Sequence, residues 1–321
     1  MQRIFQYTIP QLNTPISVKA FLKQQGFSGR SLIVLKAQEE SVLVNNQPVY
    51  INHLMQPGDE LEIRLAEEKS SEYVEPVELP LNILYEDEDL MVVNKPAGMP
   101  IHPSQNNRDN SLANALAWYF AQQNRPFVFR CINRLDRDTS GLTIIAKNVV
   151  SAGILSAMVA AKGGDGICRE QDIPSSKTIR REQDIPSSKT IRREYLAIAK
   201  GKVTPSFGTI NAPIARKEDS IIERIVDFEN GEKAVTHYKL LHNKNGHSLI
   251  SLLLETGRTH QIRVHMKYLG FPLIGDYLYN PDTSRMTRQA LHAYKLDLEH
   301  PITGQPMSFT APLPEDMRWM L

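Results

Sequence analysis

The chain has 321 residues, 41% of them hydrophobic, which is enough for one large domain and a smaller one, each with its own core. Its net charge of +1 is far below that of a protein that binds nucleic acid over its whole surface, and no apolar run approaches the roughly 20 residues of a membrane span. The opening residues lack a signal-peptide pattern, and Cys131 and Cys168 fit neither a metal knuckle nor a disulfide framework, so we expect a folded cytoplasmic protein.

Residues 1–66 have the pattern of a small α/β unit. Apolar periodicity and turn residues predict, in order, a helix, a second short apolar element, two hairpin strands and a further strand: 17–25, 31–37, 42–44, 49–51 and 61–65. This order resembles the S4 RNA-binding domain over about fifty residues, which implies that the unit binds RNA. Because residues 1–80 carry ten acidic and seven basic side chains, we expect this affinity to be weak.

An acidic, polar segment that ends in proline follows at 67–80 and predicts a linker. Residues 81–321 then form the predicted main domain. Its β-branched runs predict strands over 81–85, 90–93, 142–146, 195–199, 234–241 and 248–254, and its helical patterns lie at 111–122, 151–161 and 259–269. This mixture predicts an α+β fold with a mainly antiparallel, mixed sheet.

A tandem repeat interrupts the main domain, because residues 169–180 recur without change as 181–192. The unit is too short for a solenoid, and its proline and serine suit an exposed loop. We predict a surface insertion over 162–188. An artefact of sequencing or gene assembly is the competing explanation, and the sequence leaves both open.

The segment from Asn133 to Gly141 places one carboxylate, Asp136, between two arginines, Arg134 and Arg137. In an extended chain Arg134 and Asp136 project to one face, and the flanking guanidinium groups favour the ionised acid. Such an acid can act as a nucleophile or base. Two alternatives are a solvated surface ion cluster and a two-carboxylate glycosidase using Asp136 and Asp138. The glycosidase is disfavoured because residues two apart on a strand do not flank a bond from opposite sides.

Four ordered segments resemble the motifs of the RluA class of RNA pseudouridine synthases. They are 94–103, 133–142, 193–197 and 256–265, joined by Gly275-Asp276 and 289–293. The resemblance runs from about residue 81 to the end of the chain. It implies the isomerisation of uridine to pseudouridine in RNA, with no metal and no organic cofactor.

The resemblance also implies residue roles. Asp136 matches the essential aspartate, Tyr195 the tyrosine that stacks on the flipped base and takes part in proton removal, and Arg263 the arginine that pairs with the aspartate. An internal uridine must leave its stack to react, which requires groups that hold the RNA. The candidates for RNA or substrate binding are Arg134, Arg137, Arg258, His260, Gln261, Lys95 and His102.

The sequence also gives expectations about metal binding, the substrate and the oligomeric state. The five-residue spacing of His260 and His265, with no nearby Glu or Cys, argues against zinc. Asn133 stands where the class usually has histidine or glycine, which bears on substrate positioning more than on catalysis. S4-like modules usually accompany enzymes of ribosomal RNA in this class, so we expect large-subunit ribosomal RNA as the substrate. We also expect the protein to be a monomer. Transfer RNA is the alternative substrate, and a catalytically inactive RNA-binding assembly factor is the alternative function.

Overall fold

The computed structural model describes residues 2–11, 14–66, 69–105, 107–161 and 190–318. The predicted insertion at 162–188, with Cys168 and most of the repeat, lies outside the described residues. The chain divides into two compact units. The first comprises Met1–Val92, His102–Ile132 and Ile144–Ala157, and the second comprises Val93–Ile101, Asn133–Thr143 and Met158–Leu321.

The first unit begins with a four-stranded antiparallel sheet in the order β1-β6-β3-β4 and a separate β2–β5 pair. Its elements are β1 (Gln2–Thr8), β2 (Ile16–Ser17), α1 (Val18–Gln24), α2 (Gly29–Lys36), β3 (Val42–Val44), β4 (Gln47–Pro48), β5 (Leu54–Met55) and β6 (Glu60–Ala66). Ser17 and Ser28 cap the two helices by accepting hydrogen bonds from backbone N–H groups. The second hairpin strand starts at Gln47, earlier than predicted, because Asn45 and Asn46 adopt positive φ and close a two-residue turn.

The predicted linker is hydrogen bonded within the first unit. The hydroxyls of Ser70 and Ser71 accept hydrogen bonds from the backbone N–H groups of Phe127 and Phe129, at 3.1 and 3.0 Å.

The remaining elements that contribute to this unit are β7 (Ile83–Glu86), β8 (Leu90–Lys95), α3 (Leu112–Ala121), β9 (Ser140–Ala146) and α4 (Val149–Ala160). Strands β8 and β9 have residues in both units.

The second unit is built on antiparallel strands in the order β11-β14-β15-β10-β16, with β17 also on β16 and the start of β9 pairing with β16 in parallel. Its elements are β10 (Arg192–Lys200), β11 (Phe207–Asn211), β12 (Ile214–Arg216), β13 (Arg224–Val226), β14 (Val235–Lys244), β15 (His247–Leu254), α5 (Gln261–Tyr268), β16 (Leu291–Glu299), β17 (Pro306–Thr310) and α6 (Glu315–Arg318). The predicted α+β fold with a mainly antiparallel mixed sheet is confirmed. Among the described residues, no helix has both the length and the apolar character needed to cross a bilayer.

One hydrophobic core in the second unit positions the residues of interest. Leu135, Tyr195, Leu252, Ile262 and Leu291 are all at least nine-tenths buried in this core. Burying a side chain of this size stabilises the fold by about 1.5–3 kcal/mol. Leu135 and Ile262 directly precede the predicted acid and its predicted arginine partner in the sequence, so their burial anchors both segments.

Candidate active site

The loop that carries Asp136 is extended and then turns. Leu135 is buried and Arg134 is exposed, as the alternation predicted, while the Asp136 side chain is 27% exposed. The backbone N–H of Thr139 donates to the Asp136 carbonyl oxygen at 3.1 Å and closes the turn. The carboxylate therefore stands at an accessible bend that a buried leucine holds in place.

Asn133 holds the base of this loop. Its side-chain amide donates to the Leu142 carbonyl oxygen at 3.1 Å, and its own carbonyl oxygen accepts from the Thr143 hydroxyl at 2.9 Å. The residue that departs from the family pattern is thus 4% exposed and hydrogen bonded to the strand that follows the loop. Asn133 therefore supports the shape of the loop, and its effect on substrate positioning stays a prediction.

Asp136 is paired with Arg263, which also binds a second carboxylate. Nη1 of Arg263 donates to Oδ2 of Asp136 at 2.9 Å, and Nε and Nη2 donate to the two oxygens of Asp276 at 2.7 Å each. The Arg263 side chain is 2% exposed and that of Asp276 is fully buried. Burial alone lowers the pKa of Arg263, but hydrogen bonds and charge from Asp276, with those of Asp136, outweigh it and raise that pKa. Arg263 is therefore a permanent cation that faces two acids.

The neighbouring arginines do not supply this pairing. Nε and Nη2 of Arg137 both donate to Asp138 at 3.0 Å, and Arg134 points to solvent. The sequence placed both guanidinium groups beside Asp136, but neither donates a hydrogen bond to it. The partner is Arg263 of helix α5, 127 residues later, as the resemblance implied.

Tyr195 lies on β10 in the same hydrophobic core as Leu135 and is 5% exposed. Burial raises the pKa of Tyr195; the charge of Arg193 opposes this shift and that of Asp136 adds to it. The phenol is consequently neutral at pH 7. Among the described residues, its hydroxyl has no hydrogen-bond partner. That leaves one polar atom of a buried aromatic ring available for a ligand.

A short hydrogen-bond chain orients His260, which precedes α5 with a left-handed φ of 57°. The Arg224 backbone N–H donates to the Tyr279 hydroxyl oxygen at 2.9 Å, and that hydroxyl lies 2.9 Å from Nδ1 of His260. Because burial lowers the pKa of His260, against a smaller opposing effect of Asp136, the ring is neutral at pH 7. Nδ1 then accepts a hydrogen bond from the Tyr279 hydroxyl. Nε2 carries the ring hydrogen and lies 3.9 Å from Oδ2 of Asp136.

Two predicted RNA contacts are occupied inside the protein. The Gln261 amide donates to Val235 and Thr236, and its oxygen accepts from Thr256 and the Arg258 backbone, which leaves no hydrogen bond to offer RNA. Gln261 therefore locks the start of α5.

Lys95 is likewise fully buried. Its ammonium donates to the carbonyl oxygens of Pro96, Met99 and Arg137 at 2.8, 2.8 and 2.9 Å. Lys95 thus ties its own turn to the loop of the acid.

The other predicted contacts remain accessible. Arg258 is 41% exposed, forms an ion pair with Glu232 and donates to the Lys233 carbonyl oxygen at 3.2 Å. His102, in the first unit, is exposed and packs edge-on against Phe129, with ring centroids 5.0 Å apart. Within the second unit, Asp136, Tyr195, Arg263 and His260 come together, whereas Gln261 and Lys95 support the backbone.

The start of β16 holds the loop of the acid from the other side, which residue-level analysis of the sequence missed. His292 Nδ1 lies 2.9 Å from the Ser140 hydroxyl, Gln289 donates to the Thr139 hydroxyl at 3.2 Å, and Arg288 donates to the Asp138 carbonyl oxygen at 3.2 Å. Asp276 was missed as well. Both segments, Gly275-Asp276 and 289–293, were among those that resemble the family motifs. That resemblance was a signal of their importance, but no role was predicted for them.

Comparisons with known proteins identify the family. Residues 89–169 and 174–268 match the family model described as RNA pseudouridylate synthase. The chain belongs to the RNA pseudouridylate synthase family. The synthase is 37% identical over 302 residues to a Bacillus subtilis (strain 168) protein named uncharacterized RNA pseudouridine synthase YjbO, covering 94% of this chain and 97% of that protein.

Two further relatives agree. The synthase is 34% identical over 282 residues to ribosomal large subunit pseudouridine synthase D of Pseudomonas aeruginosa, covering 84% of this chain and 79% of that protein. A solved structure, human RNA pseudouridylate synthase domain containing 1, is 26% identical with a TM-score of 0.52, covering 73% of this chain and 83% of that chain. The resemblance to the RluA class is confirmed, and the synthase isomerises uridine to pseudouridine in RNA. The S4 domain and the individual residue roles remain predictions.

Proposed function

We propose that this pseudouridine synthase modifies large-subunit ribosomal RNA and that Asp136 is its reacting carboxylate. The observation that supports this role is the asymmetry of the acid. Oδ2 accepts from Arg263 at 2.9 Å, whereas Oδ1 accepts no hydrogen bond from any described residue. A carboxyl group with one oxygen anchored and the other open to an incoming group suits covalent or base catalysis.

Asp136 acts where the bond between C1′ and the base breaks, either by direct attack or by assisting a glycal-type intermediate. The uracil then rotates and rejoins through C5, the C5 proton is released and N1 takes up a proton, so the product is an isomer. Arg263 holds the acid, and Asp276 holds Arg263. The Tyr195 ring supplies a stacking face for the flipped base, and its neutral hydroxyl offers a hydrogen bond. We propose that His260, with its Nε2 hydrogen facing the acid, orients the substrate group that reacts with it.

Support for a ribosomal substrate comes from the Pseudomonas aeruginosa relative, which is named for the large ribosomal subunit. Such a substrate places the enzyme in the cytoplasm. Every residue proposed for catalysis lies in one chain, which supports a monomer. We propose that residues 1–66 are an S4-like module that binds RNA weakly, joined by 67–80 to a catalytic domain at 81–321, where the exposed Arg134 and Arg137 contact the RNA backbone.

The test is release of tritium from transcripts that carry [5-³H]uridine, with large-subunit ribosomal RNA and transfer RNA assayed side by side. The wild type should release tritium from the ribosomal transcript, and Asp136→Asn should release none while it still binds RNA. Asp138→Asn is the matched control, because it removes a neighbouring carboxylate that pairs with Arg137. It should remain active.

Each alternative has its own outcome. Tritium release from the transfer RNA transcript alone contradicts the proposal that ribosomal RNA is the substrate. An Asp136→Asn variant with wild-type rate removes Asp136 from the mechanism, and loss of activity in Asp138→Asn but not in Asp136→Asn moves the role to the neighbouring acid. Binding of both transcripts without release from either supports the inactive assembly factor.

A further inference from the structure

Arg193 is a buried cation without a partner. The residue is 8% exposed, and its Nε is buried with no acceptor. Among the residues that the structure describes, none accepts a hydrogen bond from its guanidinium or forms an ion pair with it. A buried charge left unpaired is costly, and an anionic ligand that completes the pairing removes this cost.

The guanidinium lies at the wall of the candidate active site. Arg193 precedes Tyr195 by two residues on β10, and its charge is close enough to oppose the rise in the pKa of Tyr195 that burial causes. On its other side the guanidinium rests against the turn before α5. A Cβ added to Gly257 would stand 3.2 Å from Nη1 and 3.9 Å from Nη2 of Arg193. The glycine therefore leaves space that the guanidinium occupies.

The nearby acids are already engaged. Asp136 and Asp276 accept from Arg263, and Glu232 pairs with Arg258. An anionic group of the substrate can supply the missing partner of Arg193. The only anion that RNA carries is its phosphodiester, which also matches the planar fork of an arginine.

We propose that Arg193 binds a phosphodiester of the RNA beside the uridine that stacks on Tyr195. This inference rests on the proposed function of the site. A phosphate contact contributes equally to the ground and transition states, so its loss acts on KM more than on kcat. Neutralising the phosphate also releases about one counterion from the RNA, which makes the affinity more dependent on salt.

The experiment compares Arg193→Gln with Arg192→Gln, which removes the same charge from the exposed adjacent residue. Affinity of each full-length variant for a fluorescein-labelled large-subunit ribosomal RNA transcript is measured from 50 to 300 mM KCl. Arg193→Gln should reduce the slope of log affinity against log salt by about 0.7 relative to wild type. Tritium release should show KM raised about tenfold or more, with kcat within about twofold. Arg192→Gln should change neither.

A second variant keeps the charge. Gly257→Ala should shift the guanidinium by a few tenths of an ångström and cause a smaller rise in KM, and Arg193→Lys should retain the slope. If Arg193→Gln does not fold, Gly257→Ala carries the test. An unchanged slope and KM in the variant tested, or equal effects in Arg192→Gln, overturns the proposal. Wild-type protein that releases no tritium from any transcript contradicts the proposed function instead, because the salt slopes still report on Arg193.

Discussion

Asp276 accepts two hydrogen bonds of 2.7 Å from Arg263 and thereby sets the direction of the third, from Nη1 to Asp136 at 2.9 Å. Asp276 thereby fixes the plane of the guanidinium, since two parallel hydrogen bonds leave that plane little freedom. The geometry of the proposed reacting acid, Asp136, thus depends on a residue that contacts its arginine partner.

Asp276→Asn should therefore lower kcat by about tenfold or more and reduce stability, because Arg263 stays buried while one of its two charged partners becomes neutral. Removing a partner of a buried ion pair costs about 3–5 kcal/mol, and the amide oxygen of Asn recovers part of this. Tritium release and urea unfolding measure the two effects. Asp282→Asn is the control, since Asp282 is exposed and lies 3.6 Å from Lys200. A variant with wild-type kcat would show that Asp276 does not position Arg263.

Tyr195→Phe should lose activity with a change in unfolding free energy of less than about 0.5 kcal/mol near pH 7, because the hydroxyl has no partner among the described residues. Burial raises the pKa of the folded-state phenol above its ordinary value of about 10. The stability that the protonated phenol contributes is therefore complete below pH 10 and is lost as the pH rises through the folded-state pKa.

Urea unfolding of wild type and Tyr195→Phe at pH 8 and pH 11 tests this sign. Wild type should lose more stability than the variant between these values. Tyr268→Phe, at a tyrosine that is 54% exposed, provides the comparison for removing a solvated hydroxyl. An equal loss in wild type and Tyr195→Phe means that the phenol is not buried in solution.

Tyr279→Phe should alter the protonation of His260. The hydroxyl donates to Nδ1, which favours the neutral ring that burial already favours. Without this donor, the pKa of His260 should rise, and the acid limb of kcat against pH should move to higher pH. The control is Tyr277→Phe, whose ring is 49% exposed. An unshifted acid limb would show that protonation of His260 does not control kcat.

Gly141→Ala should destabilise the loop of the acid. Gly141 has a φ of 109°, and a Cβ there would overlap the Ala293 carbonyl oxygen. Gly304→Ala isolates the conformational part, because Gly304 has a φ of 69° with open space around it. We expect Gly304→Ala to lower the free energy of unfolding by about 1–2 kcal/mol, and Gly141→Ala to lower it by at least about twice as much, as measured by urea unfolding. Equal costs would mean that strand β16 moves aside freely.

Much of the local structure was predictable from the sequence. The predicted helices at 17–25 and 111–122 appear as Val18–Gln24 and Leu112–Ala121 because apolar periodicity and serine caps are encoded within a few residues. Strands β16 and β17 were missed. Strand β16 pairs with β10, about a hundred residues earlier in the chain, and β17 pairs with β16. Their short alternating runs, 295–299 and 307–310, were not interpreted as strands.

By itself, the sequence determined the family, the identity of the candidate acid and the burial of Leu135 beneath it, because these depend on residue order and short-range alternation. The resemblance implied that Arg263 pairs with Asp136, and only the tertiary structure showed that the buried Asp276 holds that arginine. Arg134 and Arg137 stand nearer in the chain, yet packing of Ile262 and Leu135 into one core brings Arg263 within 2.9 Å. The same packing buried Lys95 and Gln261 and left Arg193 unpaired. A hydrogen bond depends on distances of a few ångströms, which the folded core sets and the spacing of residues in a sequence does not.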